Sequence, residues 1–274
     1  MTPVAFTDSH AHLDDERFDA DRTQVIERAR AAGVERILSI AGGTRREELQ
    51  RTLTLAEQHD FVWAAVGLHP HEARHASEEL LATLDSLAQH PRVLAWGEIG
   101  LDYHYEHSPR ATQQEVFRQQ LQRARARKLP VIIHCREAWQ DCLALLRQEW
   151  AASGLGGILH CCSDTVETAR QAIEWGFLIS FAGNVTFARA ESLRQAAQAI
   201  PVEHLLIETD CPYLAPQPHR GKRNEPAYVV DVATELARLH CLEREELGEK
   251  TSENFLRLFP QAAPQTTGGR PSHH

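Results

Sequence analysis

The sequence has no long apolar run, and its first residues lack a basic start followed by an apolar stretch. A membrane-spanning helix needs about 18 or more consecutive apolar residues, so we expect no membrane span. A secretory signal needs the two features that the first residues lack, so the cytoplasm is the expected compartment. With 42% hydrophobic and 24% charged residues, the composition is typical of a globular protein with a sizeable core.

The sequence has fewer basic than acidic residues. Lysine and arginine together number 29 against 38 aspartate and glutamate residues, which gives a formal net charge of −9. A protein that holds duplex DNA through many phosphates needs a broad basic face, and this charge balance argues against one. It leaves open a small charged pocket that accepts one strand end.

Several familiar motifs are also missing. None of the six cysteines stands in a CxxC pair, so a zinc finger has little support and reduced thiols are expected. The absence of a GxSxG elbow argues against a serine triad. Because GxGxxG, GxxxxGKS and GxxxxGKT are absent too, nucleotide-cofactor and Walker-type sites have no anchor.

Short β-branched runs alternate with longer amphipathic stretches as far as about residue 210. The strand candidates are Val4–Asp8, Arg36–Ile40, Val62–Val66, Val93–Gly97, Val131–His134, Gly157–His160, Phe177–Phe181 and Leu205–Thr209. The stretches between them, such as Gln113–Arg127 and Ala138–Trp150, have the apolar spacing of helices. Eight such units match a closed α/β fold, the TIM (β/α)8 barrel. Periodicity alone leaves a doubly wound open sheet as the alternative.

No linker or internal repeat divides the chain, so we predict a single barrel domain over residues 1–260. After the eighth strand comes a loop rich in proline and polar residues, followed by two predicted helices, Val229–Leu239 and Arg244–Leu258. Residues 261–274 contain Pro, Gly, Thr and Ser with almost nothing apolar, and we predict a disordered tail there.

Histidine and carboxylate residues recur where the predicted strands end. His10 and His12 lie two residues apart, so both imidazoles can face one site, although two structural histidines would explain this pair equally well. Strands four, five, six and eight end at further potential ligands. The six candidates are His10, His12, Glu98, His134, His160 and Asp210. In a barrel these strand ends converge on one rim, which makes coincidence improbable for the whole set.

Imidazole and carboxylate groups bind divalent ions such as Zn²⁺, Mn²⁺ or Mg²⁺. Two ions about 3.5–4 Å apart can share a bridging carboxylate, lower the pKa of a water toward ~7 and neutralise charge on a phosphoryl group. We therefore predict two divalent ions. Glu98 and Asp210 are the predicted catalytic residues, Glu98 as the bridge and Asp210 as a ligand that also accepts the proton of the water.

Six longer blocks resemble the signature motifs of the TatD-type metal-dependent deoxyribonuclease/hydrolase family: TDSHAHLD, GLHPHEA, GEIGLDYHY, PVIIHCREA, LISFAGNVTF and IETDCPYLAPQPHRGKRNEPAYV. The resemblance spans the chain to about residue 258. It implies an amidohydrolase-like TIM barrel, a divalent metal centre and metal-dependent DNase activity, often 3′-to-5′ exonuclease. By position, the family's metal ligands fall on the same six residues. The turn after strand six departs from the family, because HCCSDT replaces an aromatic residue and a glycine.

Two further residues are candidates for substrate phosphate. His69 follows the third strand. We expect it to contact substrate phosphate or a metal-bound water; the alternative is a hydrogen bond to the backbone of its own loop. Arg220 is the preferred phosphate contact in a cluster with Lys222 and Arg223, because arginine binds phosphate in a bidentate manner. The alternative for this cluster is a solvated surface run.

The remaining candidates are Arg136, Glu208 and three tyrosines. Arg136 contacts a phosphate or forms an ion pair with Glu137 or Asp102. Glu208, two residues before Asp210, orients a ligand histidine or forms a salt bridge inside the barrel. The rim tyrosines, Tyr103, Tyr105 and Tyr213, either stack on bases or serve ordinary packing.

These patterns favour a metal-dependent hydrolase that cleaves phosphodiester bonds of DNA, as a 3′–5′ exonuclease on single-stranded or frayed ends. The alternative is a small-molecule amidohydrolase, lactonase or phosphoesterase on the same metal barrel, since activated water serves both reactions. A metal-free binding protein would be expected to lack a ligand, and none of the six is missing. We expect DNA as the partner, with neither a membrane nor an obligate protein partner.

Overall fold

Eight strands alternate with helices in the computed structural model, which describes residues 5–162 and 164–264. The strands are β1 (Phe6–Ala11), β2 (Val34–Ile40), β3 (Val62–Val66), β4 (Val93–Asp102), β5 (Val131–Arg136), β6 (Gly157–Leu159), β7 (Phe177–Phe181) and β8 (Leu205–Ile207). The helices are α1 (Arg22–Ala31), α2 (Arg46–Gln58), α3 (Glu78–Leu87), α4 (Arg110–Arg127), α5 (Trp139–Glu149), α6 (Val166–Glu174), α7 (Glu191–Ala199), α8 (Val229–His240) and α9 (Arg244–Leu258).

The strands form one parallel sheet in sequential order from β1 to β8. The sheet closes on itself, because Ala11 pairs in parallel with Cys211 just beyond β8. Two backbone hydrogen bonds complete this seam: Asp210 N–H donates to the His10 carbonyl at 2.9 Å, and His12 N–H donates to the Cys211 carbonyl at 2.8 Å. A doubly wound sheet reverses its strand order and keeps two free edges. The predicted barrel is therefore confirmed and the open sheet is excluded.

The predicted end of β4 at Gly97 is wrong, because the strand continues to Asp102 and pairs there with Arg136 of β5. Glycine usually weakens a strand, which is why the sequence pattern stops there. Here a glycine instead permits close packing of two strands. A Cβ atom on Gly100 would lie 2.0 Å from the carbonyl oxygen of His134. As a result, Glu98 lies in the middle of a strand rather than in a loop.

The carboxyl-terminal ends of four other strands also differ from the prediction, and β5 continues from His134 to Arg136. β1 begins at Phe6 and continues to Ala11, while the predicted start at Val4 lies outside the described residues. β6 stops at Leu159 and β8 at Ile207, each earlier than predicted. The two ligand candidates that follow these short strands therefore lie in loops, where hydrogen bonds other than the sheet ladder must hold them.

The inside of the barrel is filled below the rim by apolar side chains. This cluster contains Leu38, Ile40, Ala65, Leu94, Ala95, Ile132, Ile158, Leu178 and Leu206. Phe255 and Phe259, in and just after α9, belong to the same cluster and cover the amino-terminal end of the barrel. A larger apolar layer packs the outer faces of the strands against the helices. Polar groups consequently gather at the carboxyl-terminal rim, where barrel active sites lie.

The chain remains ordered beyond the predicted domain end. Pro260–Ala262 forms a short 3₁₀ turn, Ala262 is buried, and its carbonyl accepts a hydrogen bond from Nε of Arg36 at 3.2 Å. The tail predicted from residue 261 is therefore wrong for its first residues, because packing against β2 fixes them. Residues 265–274 of the predicted tail lie outside the described residues.

Two findings bear on the sequence-based exclusions. Among the described helices, none combines the length and apolarity required to cross a bilayer. All six cysteines are free thiols.

Gln120 of α4 fixes the start of the loop after β3. Its Oε1 accepts hydrogen bonds from Leu68 N–H at 2.8 Å and from Trp96 Nε1–H at 3.1 Å, and its Nε2 donates to the Leu68 carbonyl at 2.9 Å. The Gln120 side chain and both partners are buried. Because Leu68 directly precedes His69, this amide positions a candidate site residue.

We predict that Gln120→Leu destabilises the barrel by roughly 3 kcal/mol or more. The substitution leaves three buried polar groups without partners, and each costs about 1–3 kcal/mol. The change in the free energy of unfolding is measured by urea titration. Gln122→Leu, on the exposed side of the same helix, is the matched control and should change stability by less than about 0.5 kcal/mol. Equal stability of the two variants contradicts this role.

Candidate metal centre

The carboxylate of Glu98 lies at the centre of a ring of imidazoles on the carboxyl-terminal rim. Its Oε1 atom lies 2.8 Å from Nδ1 of His134 and 3.0 Å from Nε2 of His160. Nε2 of His69 lies 3.6 Å from the same oxygen. β4, β5, the end of β6 and the loop after β3 thus supply one half of the cluster.

The other oxygen of Glu98 faces a second set of donors. Oε2 lies 3.4 Å from Nε2 of His10 and 3.8 Å from Nε2 of His12, and these two nitrogens are 3.3 Å apart. Oδ1 of Asp210 lies 3.7 Å from His10 and 3.5 Å from His12. The structure therefore brings the six predicted donor side chains together at one rim.

Three groups of donor atoms in the described part of the chain are compact enough to hold a metal ion. Within each group the donor atoms lie within 4.8 Å of one another. The groups are His10–His160–Asp210, His10–His12–Glu98 and His69–Glu98–His134. Mixed nitrogen and oxygen donors of this kind suit first-row divalent ions. The donor set therefore fits the predicted metal centre.

Asp8 fixes the relative position of β1 and the loop after β8. Its Oδ1 accepts hydrogen bonds from Thr209 N–H at 2.9 Å and from His10 N–H at 3.3 Å. Its Oδ2 accepts from the Thr209 hydroxyl at 2.6 Å. Burial raises the pKa of Asp8 to about 8. The strand-end pattern did not indicate this residue, although its position two before His10 already placed it on the same strand face.

Glu208 contacts a candidate ligand in the way that the sequence suggested. Its Oε1 lies 3.1 Å from Nδ1 of His160, and its Oε2 accepts a hydrogen bond from the Ser180 hydroxyl at 2.5 Å. A neutral histidine that donates from Nδ1 keeps its lone pair on Nε2. Nε2 of His160 is the atom that faces Glu98, so Glu208 presents the lone pair of the ring toward the centre.

Asp102 has the same relation to His134, whereas the sequence suggested it only as an ion-pair partner of Arg136. Its Oδ2 lies 3.0 Å from Nε2 of His134 and 2.9 Å from Nε2 of His71. A donor bond from Nε2 leaves the lone pair of His134 on Nδ1, which faces Glu98. The spacing of four residues from Glu98 along one strand is the signal that could have found it.

His69 differs from the other imidazoles. Its Nδ1 accepts a hydrogen bond from His71 N–H at 3.1 Å, so the neutral ring carries its proton on Nε2, toward Glu98. Burial lowers the pKa of His69 to about 4, which keeps this ring neutral at pH 7. A ring with its lone pair already engaged donates hydrogen bonds rather than ligating metal. The backbone contact and the inward-facing nitrogen occur together, where the sequence left them as alternatives.

Opposite charges are concentrated in the cluster. Burial alone would raise the pKa of Glu98. The nearby His160, His69 and His10 lower it by more than burial raises it, so the carboxyl pKa lies well below its usual range. Burial lowers the pKa of His160, whereas Glu98 and Glu208 raise it well above its usual range. The positive charge of protonated imidazoles thus offsets the negative charge of the buried carboxylates. Divalent cations compete with these protons for the imidazole nitrogens, because histidine ligates as neutral imidazole.

Arg136 and the basic cluster lie at the outer edge of the rim. The predicted ion pair of Arg136 with Glu137 or Asp102 does not form, because Glu137 contacts His104 at 2.7 Å and the guanidinium lies over a tyrosine ring instead. Arg220 is exposed and stacks 4.0 Å from the centroid of Phe187.

The other members of the predicted basic cluster differ from each other. Arg223 forms an ion pair with Asp21 at 2.7 Å, which is a structural contact. Lys222 is exposed.

The divergent turn after β6 is occupied by small and capping residues. Cys162 is buried, and the thiol of Cys161 accepts from Nδ2 of Asn184 at 3.6 Å. Asp164 accepts a hydrogen bond from the Thr168 hydroxyl at 2.5 Å, which places its charge at the start of α6. Ser163 lies outside the described residues.

A closed parallel barrel with imidazole and carboxylate donors at its carboxyl-terminal rim is the architecture of a metal-dependent hydrolase. Comparison with known proteins identifies the family. The family model described as TatD related DNase matches residues 7–260, and the chain belongs to this family.

Two relatives match almost the whole chain. The chain is 46% identical over 252 residues to "Uncharacterized metal-dependent hydrolase YabD" of Bacillus subtilis, covering 92% of this chain and 98% of the relative. It is 38% identical over 248 residues to "3'-5' ssDNA/RNA exonuclease TatD" of Cronobacter turicensis, covering 89% and 93%. The chain is thus similar both to a named nuclease and to a hydrolase without an assigned substrate.

Solved structures confirm the fold. YJJV, a TatD homologue from Escherichia coli, superposes with a TM-score of 0.87 at 31% identity, covering 94% of this chain and 98% of that one. An uncharacterized amidohydrolase from Saccharomyces cerevisiae superposes with a TM-score of 0.77 at 18% identity, covering 94% and 100%. The second likeness shows the fold alone, a barrel of the same architecture.

We predict that Glu208→Gln weakens metal binding about 10- to 100-fold, because such outer contacts orient the ligand ring and raise its basicity. Affinity is measured by competition with a chromophoric chelator. Glu203→Gln, at the amino-terminal end of β8, is the matched control and should retain wild-type affinity. Unchanged affinity in Glu208→Gln would show that His160 needs no such partner.

Proposed function

We propose that this hydrolase cleaves phosphodiester bonds of single-stranded DNA from the 3′ end, with two divalent metal ions drawn from Zn²⁺, Mn²⁺ and Mg²⁺. The observation that carries the proposal is the single carboxylate of Glu98, whose two oxygens face two different sets of donors. A shared carboxylate of this kind is what a two-metal site requires.

The residues divide into two halves around Glu98. His10, His12 and Asp210 would hold one ion with Oε2. Nδ1 of His134 and Nε2 of His160 would hold the other with Oε1. Both ring orientations follow from the carboxylates behind them, which leave the required lone pairs facing inward.

Side chains at the rim accept the proton of the attacking water and bind the phosphate groups of the substrate. Divalent ions, when bound, lower the pKa of a water toward ~7 and offset charge on phosphoryl oxygens. Asp210 accepts the proton of the attacking water, since its carboxylate borders the centre beside His12. His69 donates from Nε2 to a phosphoryl oxygen. Arg220 and Arg136 bind phosphates at the outer edge of the rim.

Similarity to a relative named as a 3'-5' ssDNA/RNA exonuclease supports the nucleic-acid substrate. The formal net charge of −9 favours the alternative, a small-molecule lactone, amide or phosphate ester. Metal-activated water serves both reactions, so the ligand set does not separate them. The nuclease proposal is preferred because exposed arginines stack on aromatic rings in loops that follow the strands at this rim.

We predict that His134→Ala and Asp210→Ala each lower hydrolysis by several orders of magnitude without unfolding the barrel. The first removes a metal donor, and the second removes a donor and the proton acceptor. Turnover and melting temperature are measured on the same preparations. His90→Ala, at the opposite end of the barrel, is the control and should retain activity. Wild-type turnover in either variant removes that residue from the mechanism.

We predict that a panel of substrates separates the two candidate functions. A 5′-labelled single-stranded oligonucleotide should shorten stepwise from its 3′ end, and a blocked 3′ end should prevent this. Matched RNA tests the choice of sugar. Lactones, cyclic amides and simple phosphate monoesters should be poor substrates. Turnover confined to these small molecules ends the nuclease proposal.

A further inference from the structure

Two tyrosines are the exposed large apolar side chains in the described part of the chain. Tyr105 is 52% exposed and Tyr213 is 49% exposed. The third rim tyrosine, Tyr103, is only partly exposed, and its hydroxyl lies 2.8 Å from the carboxylate of Asp141. The hydroxyl of Tyr103 thus has a protein partner. Tyr105 lies parallel to the ring of His107 at 5.6 Å between centroids, yet it remains half exposed, as does Tyr213.

The two exposed rings lie on loops that follow strands on opposite sides of the barrel. Tyr105 follows β4 and Tyr213 follows β8, strands that are four positions apart in an eight-stranded barrel and so lie on opposite sides. The ring centroid of Tyr213 lies 6.1 Å from that of His12. The ring centroid of Tyr105 lies 5.5 Å from that of His71. Tyr213 therefore lies beside the donor His12, and Tyr105 lies beside His71, which shares the carboxylate of Asp102 with the donor His134.

A guanidinium group lies over each ring. Cζ of Arg17 lies 4.3 Å from the centroid of Tyr213, and Arg17 is itself held by Asp15 through contacts of 2.9 and 2.8 Å. Cζ of Arg136 lies 4.8 Å from the centroid of Tyr105. These contacts fix the orientation of rings that remain half exposed, which is the arrangement of a pre-organised stacking surface.

We propose that Tyr105 and Tyr213 are stacking platforms for the two nucleobases on either side of the cleaved phosphodiester. A single strand then crosses the mouth of the barrel, with one base on each ring and the phosphate between them at the metal centre. This inference rests on the proposed function and deepens it. It assigns the protein a substrate with unpaired bases and little dependence on base identity, because every base has a π-face.

Charge explains why stacking matters in this chain. With a net charge of −9, the protein lacks the many cationic phosphate contacts on which duplex binders depend. Arg136 and Arg220 form no ion pair with other described residues, so two cations near the rim stay available for phosphates beside the cleaved bond. Affinity for the strand must come largely from uncharged contact with unpaired bases, which the two rings supply.

The test combines variants with matched substrates. The substrates are a single-stranded DNA and two forms that carry an abasic sugar on the 5′ or on the 3′ side of the 3′-terminal phosphodiester. The enzymes are wild type, Tyr105→Leu, Tyr213→Leu and the two Tyr→Phe variants. Trp175→Leu, which removes the aromatic partner of Arg147 at the opposite end of the barrel, is the control and should behave as wild type.

We expect each abasic substitution to lower kcat/KM of the wild-type enzyme about 5- to 100-fold, and each Tyr→Leu substitution to have a similar effect on the intact strand. Each Leu variant should cleave one of the two abasic strands as fast as the intact strand. The abasic sugar should lie on the 5′ side for one variant and on the 3′ side for the other. The Phe variants should retain wild-type rates, since the ring and not the hydroxyl is used.

Three results overturn the inference, and the last of them also overturns the proposed function. Abasic sugars without effect on the wild-type enzyme exclude base stacking even if a variant folds poorly. If a Leu variant loses kcat/KM on each abasic strand by the product of the two separate losses, the tyrosine and the base do not touch. A wild-type enzyme that cuts no oligonucleotide, yet hydrolyses small esters, ends the nuclease proposal itself and this inference with it.

Discussion

The charge of one buried carboxylate is the constraint on which the rest of the structure depends. Glu98 lies in the middle of β4 and inside the rim, where an ionised group is unfavourable unless cations or donors surround it. Imidazoles from β1, β5, the end of β6 and the loop after β3 provide that environment. Because these elements are distant in sequence, only the closed barrel brings them to one carboxylate.

An outer set of carboxylates determines what the imidazoles can do. Glu208 and Asp102 engage one nitrogen of His160 and of His134, and the other nitrogen of each ring then faces Glu98 with its lone pair. Asp8 joins the backbone of β1 to that of the loop after β8, so the donors on this seam keep their spacing. Protein contacts therefore set the positions of these donors, which is the support that a metal site needs from the residues around its ligands.

Sequence patterns predicted the barrel and the six donors because parallel strands repeat an apolar signal and end in polar residues. They failed where tertiary contacts override that signal. The glycines of β4 suggested a strand end, whereas Gly100 packs against β5 and lets the strand continue to Asp102. The proton position on His69 depends on the backbone N–H of His71, and no spacing rule contains that bond. For Arg136 the sequence left open a phosphate contact or an ion pair with Glu137 or Asp102, and no spacing rule indicates that its guanidinium lies over Tyr105.

The central claim is that Glu98 joins two cation sites within one barrel. Anomalous diffraction at the manganese edge, from crystals grown with Mn²⁺, tests it most directly. The account predicts two peaks on either side of the Glu98 carboxylate, one beside His10 and His12 and the other beside His134 and His160. No peak at this rim, or density only at sites away from Glu98, would contradict the account.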